Sequence, residues 1–494
     1  MSSLFRTRLE KEFDQQTAWF HTSIVEDLRM FEHDIKGTMA HDIMLHEQGI
    51  MDKKDLVKIL GALQEILDEW KEGTVEISAE YEDIHEYIED RVIDKIGIEA
   101  AGNLHAGRSR NDQVVLDMKM YTRKEMLEIA EKTLNLIEEI LELADKHIET
   151  PMVLYTHGQP AQIGTFAHYL LAYVDQFFRD YIRIKQCYER VNTNPLGNAA
   201  IGGTTLRLSK MRVSELLGFD DIQNNSIDAT SSRDWAVECA SVLSILMGNI
   251  SRAMADFVMW SGKEYGYLTL ADEYSSSSSI MPQKKNPSTM ELIRGKSAEV
   301  FGALAELFTM EKGVPTGYYQ DLQQTKIPLW RAFDTTKGSL DVFTGAVSTL
   351  QVNTEAMLEQ TKGSYIYAVQ LAERLLEQLT FREAYKVTAQ AVSKLVEQGR
   401  TLDTLLGSEV EEAAKELFEK KIKVRDNIGE KISNPKEALE DLRSPGSPHP
   451  VEAGAAVEKG RELRERYWKE LDFLKVKLEI ASDNLKNAIQ THTA

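Results

Sequence analysis

From Gln113 to Ile148 the chain runs without a proline or a glycine, and Leu127, Ala130, Leu134, Ile137, Leu141, Ala144 and Ile148 recur at alternating steps of three and four residues. That spacing makes an apolar seam for near-parallel helix packing. A helix so long must be covered by others of its kind. A second stripe at helical period joins Trp235, Cys239, Val242, Leu246, Ile250, Met254 and Phe257. Leu28, Phe31, Ile35 and Met39 repeat the pattern near the start, and Asp52 stands where it can cap a helix over residues 53–71. Further helices are expected over 288–312 and 329–360, and the charged remainder from 363 reads as helical with one break at RSPGSPHP. Alternating strand patterns, internal repeats, GxGxxG and a P-loop are all missing from the sequence. The fold class is therefore all-α, with a bundle of long helices in the middle third.

Length allows two or three domains: 494 residues with only 11 prolines. The net charge of −21 argues against nucleic acid and anionic membrane surfaces as partners. An anionic substrate would need locally concentrated positive charge against that background. A run of about 18 apolar residues is not found, so no membrane span is expected. The start MSSLFRTRLEKEFDQQ has no apolar export core, which points to the cytoplasm. Cys187 and Cys239 both fall in helical patterns and read as buried thiols, not as a disulfide or a metal site.

Polar islands interrupt the helices at about 105–112, 155–162, 223–233, 275–287 and 316–326. The fourth, SSSSSIMPQKKNP, joins a row of hydroxyls to two lysines and a helix start. With Pro287 in the first turn, Asn286 is placed near an N-cap. Such a loop is either a serine linker or an anion site containing a candidate nucleophile or base. Arg108, Arg110, Asn111 and Asp112 suit a carboxylate, or they form a solvated turn whose Asn111 or Asp112 caps the next helix. Thr156 and His157 set a hydroxyl beside an imidazole at what reads as a helix entrance. A lone histidine is often structural, and His168, inside the helix, is read as a packing residue. Helices about 40 Å long, at ~1.5 Å per residue, hold their ends too far apart for all these islands to meet in one chain. Association of identical bundles would bring entrances from different chains into one cleft.

The segments LHAGRSRNDQV (104–114), YTHGQPAQ (155–162), NSIDATSSRD (225–234), SSIMPQKKNP (278–287) with ELIRGK after it, and YYQDLQQTK (318–326) resemble the motifs of the argininosuccinate lyase family, within the fumarase/aspartase superfamily. HTSIVED (21–27) and FREAYKV (381–387) match more weakly. GRSRND and the QKKNP form of the loop favour this family over its superfamily relatives. The resemblance implies a three-domain fold divided at 1–107, 108–362 and 363–494, its central bundles pooled in a homotetramer with each active site built from three chains. It implies a small-molecule substrate, no metal and no cofactor, and reversible elimination of fumarate from argininosuccinate to leave arginine.

Carried over by position, the resemblance makes Ser278 the base on a mobile loop, with Lys284 and the helix dipole after Pro287 available to stabilise its alkoxide. Lys284 and Asn286 hold the substrate carboxylate and its developing charge. His157, paired with Glu291, belongs to the acid side, directly or through water, with Thr156 as a second donor. Ser23, Asn111, Tyr318, Gln323 and Lys326 bind the amino-acid and succinyl ends, and Arg110, Arg233 and Asp27 lie near the site. This sequence departs from the family in having Ser277 at a usual glycine, Gly158 at a commonly larger residue and Ala106 at a usual threonine. The family's N-terminal tryptophan–glycine signature is missing as well. No catalytic side chain is lost. Two other readings are a superfamily lyase that releases fumarate from adenylosuccinate or aspartate, and a non-catalytic crystallin-like structural descendant.

Overall fold

The computed structural model describes residues 13–78 and 80–493. Most of the segment on which the leader reading rests, residues 1–12, lies outside them. The N-terminal third contributes helices α1 (Phe31–Glu47), α2 (Lys53–Lys71) and α3 (Ile84–Ile96). The centre consists of α4 (Arg110–Lys146), α5 (Phe166–Val191), α6 (Asp234–Trp260), α7 (Ser288–Gly313) and α8 (Lys326–Ser348). After them come α9 (Phe381–Glu397) and the long α10 (Pro450–Thr493).

The seam of α4 is buried from Leu127 to Ala144, and the stripe of α6 is buried from Trp235 to Phe257. Helix α4 packs on α5 and α8, α6 on α5 and α7, and α7 on α8, which closes a ring of five. The 37 residues of α4 span about 55 Å at ~1.5 Å each. Among the described residues, α6 alone is long and apolar enough to cross a membrane by length and composition, as the core helix of a bundle also is, and here its stripe lies inside the ring. Cys187 and Cys239 face each other from α5 and α6, buried and unbonded with their sulfurs 3.3 Å apart.

Local chemistry sets the helix starts, in places differently from the expectation. Helix α4 begins at Arg110, three residues before the expected Gln113, because Ser109 is its cap. The Ser109 hydroxyl accepts the Asn111 N–H (3.2 Å), and Asp112 accepts the N–H of Ser109 (2.9 Å). The other Asp112 oxygen accepts the N–H groups of Gly197, Asn198 and Ala199 at 2.8–3.1 Å, tying the glycine-rich loop to the helix start. Asp52 occupies the cap position of α2, but its side chain accepts no cap bond. Pro287, not Asn286, is the cap residue of α7, and no side chain caps that helix. The helix expected over 329–360 ends instead at Ser348, before a two-residue strand and a separate short helix, Thr354–Thr361.

Strands do occur, contrary to the sequence reading. β1 (Pro151–Thr156) and β2 (Gln159–Thr165) form an antiparallel hairpin, with Thr156 opposite Gln159. Val153 and Ile163 of this ribbon enter the second core described below and Tyr155 packs against it, so its alternation is too short to stand out. A smaller ribbon pairs β3 (Ser276–Ser277) with β4 (Lys285–Asn286) at the root of the serine loop.

Two apolar cores result. One runs from Ile24 through the ring and takes in Ala453, Val457, Tyr467, Leu471 and Leu485 of α10. The other lies under Val153 and Ile163 and extends over 366–439, including the inner face of α9.

Candidate active site

A narrow cleft opens where five stretches of the chain meet at one end of the ring. Ser23 and Asp27 come from the turn before α1, Arg110 from the first turn of α4, and Tyr318, Gln323 and Lys326 from the stretch leading into α8. Arg233, which precedes α6, adds a guanidinium that is almost wholly buried. Lys326 and Asp27 form a buried ion pair, and the Ser23 hydroxyl donates to the same carboxylate (2.7 Å). Arg110 reaches Asp83 (2.8 Å) and Glu82 (3.3 Å), and these carboxylates raise it despite its burial. Burial pushes Arg233 below its ordinary range, opposed by Tyr318 and Glu311, and burial pushes the Tyr318 phenol up. The cleft thus offers three cations and two carboxylates, Asp27 and Asp83, in one wall. That mixture suits a zwitterionic amino acid better than a simple anion.

Thr156, His157 and Gly158 form the exposed tip of the β1–β2 hairpin, not a helix entrance. The cap of α5 is Thr165, whose hydroxyl accepts the His168 N–H (3.1 Å). His157 and Gly158 both have positive φ, 54° and 69°, as a tight two-residue hairpin turn requires. Glycine suits the second of these positions. The histidine adopts a conformation that non-glycine residues seldom take, a kind of strain that clusters at functional sites.

The serine loop rises from its β3–β4 root and is exposed over most of its length. Within it the Ser278 hydroxyl oxygen accepts the backbone N–H groups of Met281 (3.1 Å) and Ile280 (3.4 Å). Two converging N–H dipoles at a hydroxyl oxygen are positioned to stabilise negative charge there. Lys285 pairs with Asp272 (2.7 Å). Lys284 is exposed, with no carboxylate partner among the described residues.

A family profile described as Lyase matches residues 7–302. The chain is 42% identical over 463 residues to the argininosuccinate lyase of Carboxydothermus hydrogenoformans, covering 94% of this chain and 99% of that one. It is 41% identical over 463 residues to the argininosuccinate lyase of Geobacillus thermodenitrificans, with the same coverage. The chain belongs to the argininosuccinate lyase family. The structure superposes on that of an EDDS lyase in complex with formate at a TM-score of 0.86, with 28% identity and coverage of 94% and 92%. The class II fumarase of Schistosoma mansoni, at 16% identity and a TM-score of 0.70 over 86% of this chain and 95% of that one, shares the fold.

In this member of the argininosuccinate lyase family one chain gathers Ser23, Asp27, Arg110, Arg233, Tyr318, Gln323 and Lys326 into the cleft. Asn111 sits beside them in sequence, but its amide donates to the Ala200 carbonyl (3.0 Å). Ser278, Lys284 and Asn286 stay on the serine loop, Thr156 and His157 on the hairpin, and Glu291 on the exposed first turn of α7; none of them lines that cleft. Among the described residues no hydrogen bond joins His157 to Glu291 within the chain. His157 stands at the exposed tip of the hairpin and Glu291 on the exposed first turn of α7. Asp83 and His85 also line the cleft, and the sequence reading passed them over. The available signal was the DIH triplet at the head of an acidic helix, where Asp83 caps α3 by accepting the Glu86 N–H (2.8 Å).

Proposed function

We propose that this chain eliminates fumarate from argininosuccinate to leave arginine, reversibly, as the last step of arginine biosynthesis, and does so in the cytoplasm as a homotetramer. The mixed-charge cleft is the observation that carries the reading. It has cations for carboxylates and carboxylates for an ammonium or guanidinium, and it is assembled before substrate arrives.

The chemistry follows from what the projecting segments carry. Ser278 takes a proton from the carbon next to a substrate carboxylate, its oxyanion held by the N–H groups of Ile280 and Met281. The electron pair left behind spreads into that carboxylate, where Lys284 and Asn286 receive the charge. It then forms the new carbon–carbon double bond as the carbon–nitrogen bond breaks. The departing guanidinium nitrogen is protonated from the acid side, by His157 or through a water, with Thr156 as a second donor and Glu291 orienting the imidazole. Ser23, Asn111, Tyr318, Gln323 and Lys326 hold the amino-acid and succinyl ends, and Asp27, Arg110 and Arg233 lie near them.

Because these groups stand apart in one chain, the site is completed by other subunits. Exposed apolar side chains support that assembly: Phe301 and Phe308, seven residues apart on one face of α7, are 64% and 58% exposed. Fumarate release, followed by ultraviolet absorbance with argininosuccinate, adenylosuccinate and aspartate in turn, tests the reading. Turnover of argininosuccinate alone is the expected result. No turnover of argininosuccinate overturns the reading.

A further inference from the structure

His85 stands in the wall of the cleft, almost wholly buried, with two carboxylates behind it. Its Nδ1 is hydrogen-bonded to Asp34 of α1 and lies 3.6 Å from Asp117 of α4. Gln113 donates to the same Asp34 oxygen (2.7 Å). Both oxygens of Asp117 and the other oxygen of Asp34 are buried without a hydrogen-bond partner among the described residues. Two bare carboxylates in contact without solvent would cost several kcal/mol. A proton between them removes that cost and supplies the missing donor. A metal ion is the other way to hold such a cluster, but the Gln113 amide N–H and Arg108 both face it, and each opposes a second cation.

We propose that Asp117 keeps a proton and donates it to Asp34, and that this chain fixes His85 as an imidazolium whose Nε2–H meets an anionic group of the substrate. Asp34 and Asp117 are then positioning residues. Nε2 is the ring nitrogen left without a partner among the described residues. The charges agree with the geometry. Burial and the neighbouring Asp34 charge push Asp117 well up, with Arg108 opposing. Burial disfavours a charged His85, yet Asp34, Asp83 and Asp27 together raise it. Arg110, Arg233 and Lys326 share the cleft with His85, and they too draw an anion toward this wall.

The inference rests on the elimination reading. An inactive wild type defeats that reading, whereas the proposal is judged on an active one. Asp117→Leu is expected to lower kcat/KM about 100-fold, and Asp117→Asn, whose amide still donates to Asp34, to restore most of the loss. Asp34→Asn is expected to move the alkaline limb of the kcat/KM profile to lower pH, because the imidazolium loses its anion. An asparagine at 117 as damaging as leucine, or an unmoved alkaline limb, overturns the proposal. A folding failure in these variants leaves the wild type itself to decide. In 15N-histidine-labelled enzyme, the resonance absent from His85→Gln should report an imidazolium at pH 7.5, and a neutral ring there overturns the proposal. So does stoichiometric metal in the purified protein whose removal abolishes activity.

Discussion

Lys326 and Lys284 carry the same charge in opposite settings. Lys326 is buried against Asp27, which also holds Ser23, and the three are locked before any ligand binds. Lys284 stands exposed on a loop whose internal bonds are the two N–H contacts to Ser278, a turn and a two-residue ribbon. The cleft is a finished object within one chain, and the serine loop and hairpin are unfinished ones. Binding tolerates rigidity because it must discriminate. Elimination needs groups that close over the substrate and leave again, so they sit where local order is cheapest to change.

If that contrast is right, damage on the two sides should look different. Ser278→Ala should cut turnover by about three or more orders of magnitude. Its circular dichroism, its assembly and its binding of arginine should stay at wild-type values. Lys326→Met attacks the finished side and leaves Asp27 as a buried charge without its partner. The expected penalty is about 3–5 kcal/mol of stability, read as a lower denaturant midpoint, together with a raised KM. Mixing Ser278→Ala with Lys326→Met subunits sharpens the comparison. Sites shared between chains predict recovery to roughly one-tenth of wild-type activity, above either parent assayed at low substrate. Sites confined to one chain predict none.

Smaller effects separate the two sides further. Burial holds His33 and His41 at about 3 and His105 at about 2, against an ordinary value of 6.5. Between those limits the unfolded chain binds protons that the folded one excludes. Their contribution is therefore complete above pH ~6.5 and is lost as the pH falls toward ~3. Denaturant midpoints measured from pH 8 to 4 should decline around α1, with the hairpin unaffected. Ser277→Gly, at the root of the serine loop, should change kcat only about threefold, because it loosens a two-residue ribbon and removes no chemical group.

How much the sequence disclosed depended on range. The stripes of α4 and α6 were readable because a helix repeats its buried face every few residues, and all the named positions from Leu127 to Ala144 are buried. Most residues of the cleft were readable because their motifs are local, though Asp83 and His85 were missed. The hairpin was hidden, since Pro160 stands within it and few of its side chains, Val153, Ile163 and Tyr155, reach the second core. The caps of α4 and α7 were misplaced by one to three residues, while Asp52 did fall on the cap position of α2. Asp34 and Asp117 could not be found at all. They meet His85 across α1, α3 and α4, and no spacing along the chain records that meeting.

Helix α10 joins the first core although the second core's stretch, 366–439, precedes it in the chain. During synthesis the ring and the N-terminal helices must therefore wait, one face unsealed, until residues 450–493 leave the ribosome. The nascent chain carries that apolar face uncovered through the whole of that interval, so chaperone dependence should track the arrival of this last helix more closely than the length of the polypeptide.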